Sequence, residues 1–220
     1  MARRSLQSWA GVAHTETLSL LVLGLVLTSA GRYDEADAAL LRALALAREQ
    51  ASPGFEAEAL VRRARLLLQC GRDGEAQQAL DIAEPLLAHS PEPLRVSQLV
   101  LAQVHAAAAL SRPWPQAEVD RLLTLAVGSE HPLVQVRVAQ VAHAHAQALG
   151  NAAAAAHSAA QMADIARRAG LLEPLAEALL MQAQGAGDAV AEIAWAQEAG
   201  ALAARQGFAQ VQRRVARLLA

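Results

Sequence analysis

The chain has no lysine: all 19 basic side chains in its 220 residues are arginine. That excludes the chemistry that needs an ε-amino group, including the phosphate-loop lysine, Schiff-base lysines and the kinase lysine. Cysteine is nearly missing as well. Cys70 stands alone, so no intrachain disulfide can form, and a reducing, cytoplasmic setting is the plain expectation. Aromatic residues are 3% against 54% hydrophobic residues, which leaves the packing to alanine and leucine. Such a mixture favours helix, and β-branched residues are too sparse and too poorly alternated for a sheet. A net charge of −2 gives no general electrostatic case for nucleic acid or an anionic membrane. No apolar run reaches the length of a transmembrane helix. Met1-Ala2-Arg3-Arg4 and the later LSLLVLGLVLTSA have the outline of a secretory signal ending near Ala30. Against that reading, the polar lead is long and holds His14 and Glu16, and GRYDEA carries the same periodicity past the supposed cleavage point.

What is present is a repeat, clearest from Leu20 to Ala47. Leu20, Leu23 and Leu27 recur at helical spacing, which predicts one packing face, and Gly24 beside them would admit a second backbone. Gly31 is expected to end the first helix in the left-handed conformation. Asp34 is expected to cap the second, whose facing stripe would be Ala36, Leu40, Ala43 and Leu44. The string GRDGEAQQAL repeats GRYDEADAAL, and the spacing of the turn glycines is 71 − 31 = 40. A second pair follows with Leu60, Ala64 and Leu67 on one helix and Ala76, Leu80 and Ala83 on the other. Before the first pair, residues 2–13 read as a short leading helix with Leu6, Trp9 and Val12 inward. Beyond Pro91 and Pro93 a third pair starts, with Ala117 as the small crossing residue. A fourth opens at His131-Pro132 with Ala155 in that role. A fifth runs from Leu172 to Arg205, with Trp195 in its core, and Phe208–Leu219 closes the chain as an amphipathic helix. Ala220 falls inside the periodic pattern without a capping glycine, which points to a fragment or a truncated product.

These spacings resemble the tetratricopeptide repeat, in its longer form of about 40 residues. The match is carried by Leu23-Gly24, Leu27, Gly31-Arg32-Tyr33, Ala36, Leu40 and Ala43; Leu20 stands where an aromatic is expected, and Arg48 where a closing proline is. It covers residues 17–50 and 57–90 by motif, and 93–206 by period and small-residue spacing. The resemblance implies an all-α fold: one right-handed α-solenoid of about five antiparallel helix pairs with flanking helices, residues 1–220 forming a single domain. It also implies that the first helix of each pair lines a concave face. Arg65, Gln69, Arg137, Gln140 and Gln147 would lie there, with Leu18, Leu21, Leu25, Leu99 and Ala102 as apolar walls. Such a groove suits an extended or amphipathic peptide, with arginine forking onto its carboxylates. The chaperone-tail-binding and pheromone-receptor members rely on asparagine, with lysine in the former. Asn151 is the only asparagine here, so neither role is indicated.

No catalytic or metal centre emerges. His143 and His145 are two apart, which on a helix points them to opposite sides, and no His-x3-His pair exists. The seven histidines therefore read as surface or groove residues. Cys70 precedes the turn glycine, where a small apolar residue packs. Asp34-Glu35 and Asp73 with Glu75 sit at helix starts, where carboxylates complement the dipole. Trp114, between Pro113 and Pro115, reads as a ring covering a distorted turn, with an exposed anchor for a partner as the alternative. The chain is thus expected to be a non-enzymatic protein- or peptide-binding scaffold without cofactor or metal, and without direct nucleic-acid or membrane binding. Self-association through the N-terminal apolar face is a further expectation. The alternative is a regulatory or sensor arm of a larger bacterial transcription activator or signalling ATPase, binding a small ligand or an inhibitor protein.

Overall fold

A computed structural model describes residues 2–88, 92–112 and 115–220, with side chains from His14 onward except those of Ala88 and Leu125. The fold is all-α. Its helices are α1 (Ala2–Ser29), α2 (Tyr33–Glu49), α3 (Pro53–Gln69), α4 (Asp73–Ala88), α5 (Pro93–Ala109), α6 (Gln116–Ala126), α7 (Pro132–Ala148), α8 (Ala152–Ala169), α9 (Leu172–Gln184), α10 (Ala189–Gln206) and α11 (Ala209–Leu218). Each packs chiefly on its neighbours in the chain, the sequential arrangement of an α-solenoid. No helix among the described residues is long and apolar enough to cross a membrane. Two compact units result: residues 1–28 with 32–115, and residues 29–31 with 116–220.

One device ends most of the helices. The backbone N–H two or three residues past the last helical residue reaches back to a carbonyl in the last turn: Arg32 to Leu27, Ser52 to Ala47, Arg72 to Leu67, Arg112 to Ala107, Asn151 to Ala146 and Leu171 to Ala166, at 2.8–2.9 Å. The residue between must be left-handed, and Gly31, Gly71, Gly150 and Gly170 are. Ala51 (φ 49°) and Ser111 (φ 51°) hold the same place without being glycine. A Cβ there is strained against the following carbonyl by about 1 kcal/mol. Ala51→Gly is therefore expected to raise stability by about 0.5–1 kcal/mol, read as a higher urea midpoint. An unchanged or lower midpoint would mean that chain entropy outweighs the relieved strain.

The second helix of the first pair starts at Tyr33 with Arg32 in the cap position, two residues before the cap expected at Asp34. Asp34 therefore lies inside the first turn and does not cap it; α2 has no side-chain cap. Instead Arg32 forks onto Glu35 and Arg72 onto Glu75, the same bond pair in both repeats. In each, the guanidinium hydrogen bond holds the glutamate below its ordinary pKa. Whatever stability these forks add is present above the free carboxylate range and lost as pH falls through the lowered folded value.

The helix expected at residues 2–13 is not separate: α1 runs unbroken from Ala2, since nothing between Val12 and Leu18 interrupts a helix. The inward placement of Leu6, Trp9 and Val12 lies outside the described residues, as does Trp114. In α1 the buried line is Thr17, Leu21, Gly24, Leu27 and Thr28, whereas Leu23 is half-exposed. The packing face is thus turned from the expected Leu20–Leu23–Leu27 face, because the pocket at Gly24 is filled by Leu40. The facing stripes Ala36–Leu40–Ala43–Leu44 and Ala76–Leu80–Ala83 are buried, with Leu60, Ala64 and Leu67, in one core running through α1–α5. Ala117 is exposed and does not cross; Val119 is buried at that point. The crossing residue is the fourth of α2, α4, α6 and α8, at Ala36, Ala76, Val119 and Ala155. The longer turn after Ser111 moves it two places. In the second unit Ala176, Leu179, Leu180, Ala196 and Ala203 form a core against which Trp195 and Phe208 pack.

Candidate binding surface

The first helices α1, α3 and α5 share a 40-residue register, and it sorts their side chains into faces. Positions 17, 21, 24 and 27 are buried in α1, as are their equivalents 57, 61, 64 and 67 in α3 and 97, 101, 104 and 107 in α5. That face meets the helix's own partner. A second face holds Leu25, Arg65 and His105, with Gln69 a turn further along α3. Leu25, Arg65 and Gln69 are half-buried and His105 is exposed. This second face keeps solvent access in all three helices.

A partly buried ion network lies beside it. Glu58 Oε1 accepts from Arg62 Nε at 3.1 Å and Nη2 at 2.6 Å. Its Oε2 stands 3.5 Å from Arg95 Nε on α5. Arg62 Nη1 also donates to the carbonyl of Leu21 on α1, at 3.1 Å. Arg95 lies over the Phe55 ring, 5.8 Å from its centroid, and the His14 ring meets the same phenyl edge-on. Gly54 leaves room for the arm of Arg95: a Cβ there would stand 2.7 Å from Nη1. Three first helices are thus tied by one carboxylate between two guanidinia. Sequence reasoning did not place Arg62 among the binding residues. Glu58 four residues earlier on the same helix was the available signal.

The predicted lining residues fare differently. Arg65, Gln69 and Leu25 lie on the available face. Leu21 is 0% exposed, so it belongs to the core; Leu99 and Ala102 are buried likewise, because the face they occupy is covered. In the second unit Arg137 is half-buried and Gln147 exposed on α7. Gln140 is buried and donates from Nε2 to Glu177 Oε2 on α9 at 2.8 Å. That bond fixes the amide orientation and leaves Oε1 of Gln140 buried, without a hydrogen-bond partner among the described residues. Gln69 also holds such an oxygen.

His143 is not a surface histidine. It is 5% exposed, and its Nδ1 donates to the carbonyl of Ala155 at 2.9 Å, so it packs α7 against α8. No group of three or more His, Cys, Asp or Glu side chains among the described residues is placed to hold a metal ion. Cys70 is exposed rather than packed, since the chain leaves α3 there. Partial burial of its thiol pushes the pKa up, helped by Asp34 and Asp37 and opposed by Arg72. Cys70 is therefore expected to react with iodoacetamide at neutral pH more slowly than free cysteine, and to speed up as pH rises. A faster reaction would mean that Arg72 dominates the site. No protein-family model matches this chain, and no curated protein matches it either.

Proposed function

We propose that the chain is a non-catalytic module of tetratricopeptide type that binds protein or peptide segments on the face of its first helices. The observation that carries this reading is the split between faces in the 40-residue register: one face of each first helix is closed by its partner, while Leu25, Arg65, Gln69 and His105 keep solvent access. Arginine and glutamine beside leucine offer carboxylate and amide recognition next to an apolar contact, which suits an extended peptide with acidic residues. The network of Glu58, Arg62 and Arg95 holds the helices under this face in fixed relation, so that little ordering is left for binding. Arg137 and Gln147 offer the same chemistry on α7.

The test is selection from a displayed peptide library, followed by titration of the selected peptides against the whole chain and an Arg65→Ala/Arg137→Ala double variant. Enrichment of acidic peptides, with at least tenfold weaker binding by a normally folded double variant, supports the reading. Equal affinity for both proteins removes these arginines from the site. No enrichment removes the groove.

A further inference from the structure

The face that carries Leu25, Arg65 and His105 changes chemistry from helix to helix. On α1 it is apolar: Leu18 and Val22 join Leu25, and each of those two is 48% exposed. On α3 Glu58 and Arg62 stand in the places of Leu18 and Val22, and they are tied into their own ion network. Arg65 is what α3 presents. It is half-buried and makes no hydrogen bond or ion pair among the described residues. Every other arginine of the first unit with a described side chain stands within 3.6 Å of a carboxylate, apart from Arg112, which is exposed beyond the end of α5. A guanidinium partly withdrawn from water gains most from an anion brought to it. On α5 the row ends at the exposed His105, with the half-buried Gln98 two turns before it.

Resting on the peptide-binding reading above, we infer that this row recognises a segment in the polyproline II conformation. An apolar side chain of the segment covers Leu18, Val22 and Leu25 of α1, and a side-chain carboxylate three residues away meets Arg65. The spacing decides the conformation. α3 lies beside both α1 and α5: Arg62 donates to the Leu21 carbonyl at 3.1 Å, and Glu58 stands 3.5 Å from Arg95. Packed helices stand about 8–10 Å apart, so one register position recurs across the row at about that interval. A polyproline II segment turns once in three residues, rising about 3.1 Å each, so every third side chain points the same way about 9 Å on. A β-strand repeats its direction every second residue, at about 7 Å, or every fourth, at about 13 Å, and matches neither way. An α-helix comes nearest at seven residues, about 10.5 Å, but it satisfies its own backbone. A polyproline II segment leaves every N–H and C=O open. Gln69 and Gln98 flank the row with amides suited to those groups, and Gln98 makes no hydrogen bond among the described residues.

Fluorescence anisotropy of the whole chain with short synthetic peptides tests this. The peptides are acetylated and amidated, so that a side chain supplies the only carboxylate. Each holds one leucine and one glutamate in a frame of proline and alanine, in either order, with the second two, three, four or seven residues after the first. The expected result is that a separation of three, in one order, binds at least fivefold tighter than every other peptide. Glutamine for glutamate in that peptide, or Arg65→Ala in the protein, should abolish the preference, and the two together should cost no more than either alone. Two glycines between the anchors, in place of two prolines, should weaken binding at least threefold, since the conformation is no longer preset. Arg65→Ala leaves no partner behind, so its circular dichroism should match wild type. Binding that ignores separation, that favours two, four or seven, or that is as tight with glycines between the anchors would overturn the inference. If Arg65→Ala still weakens such binding, the peptide-binding surface stands without it. If none of these peptides binds while peptides selected from the library do, the inference alone falls; if neither binds, both readings fall.

Discussion

Glu58→Ala is expected to lower the unfolding free energy by about 2–3 kcal/mol, more than any change to the exposed ion pairs. Among the described residues Glu58 is the one carboxylate paired with both Arg62 and Arg95, and the three side chains are 11%, 15% and 23% exposed. Removing one member of such a group leaves the others partly desolvated and facing like charge; a fully buried pair broken this way costs about 3–5 kcal/mol. The loss here is smaller because Arg62 keeps the Leu21 carbonyl and Arg95 keeps Glu92 and the face of Phe55. Glu58→Gln retains an acceptor and loses the charge, so it should fall between wild type and alanine. Half a molar salt should leave most of the difference in place, since screening acts weakly on groups out of solvent. Urea unfolding followed by circular dichroism measures all three proteins. A loss under about 0.5 kcal/mol for Glu58→Ala would make the network an ordinary solvated surface.

The helical register was readable because its punctuation is local. Gly31, Gly71 and Gly150 end helices by a rule that needs only the next few residues, and GRYDEA and GRDGEA set the 40-residue spacing without any tertiary information. Rotation of α1 was not readable. From Leu18 to Leu27 the sequence is apolar nearly all round, so several faces satisfy helical spacing, and only the fit of Leu40 at Gly24 chooses one. Ala117 failed for a different reason: the turn before α6 is longer, which moves the crossing from a position chosen by period to Val119. His143 could have been found. It stands twelve residues before Ala155, as Gly24 does before Ala36 and Ala64 before Ala76, which marks it as a packing position. The bond from Glu58 to Arg95 joins helices in different pairs, and no local pattern announces it. Leu21 was misjudged because the face assigned to a groove in fact packs on the helix's own partner, α2.

Gly24→Val is expected to cost about 2–3 kcal/mol, and the effect should be rescued in part from across the helix pair. A Cβ at Gly24 would stand 2.6 Å from Cδ2 of Leu40 and 2.7 Å from its Cγ. Leu40 is 1% exposed and enclosed on every side, so it has no open space to swing into. Replacing glycine inside a helix would otherwise gain up to about 1 kcal/mol of propensity. Overpacking of about 1–3 kcal/mol or more therefore has to exceed that gain, and the branched side chain adds to the conflict. Leu40→Ala alone should cost about 2–4 kcal/mol through the cavity it opens. Combined with Gly24→Val it should cost at least about 1 kcal/mol less than the two losses together, because the new side chain enters the vacated space. The second pair has Ala64 at the equivalent position, fully buried with Leu80, so the fold accepts one methyl group at that crossing. The four proteins of the cycle, unfolded in urea, give the coupling directly. Strict additivity would place Gly24 and Leu40 out of contact, and the packing face of α1 would then have to be assigned anew.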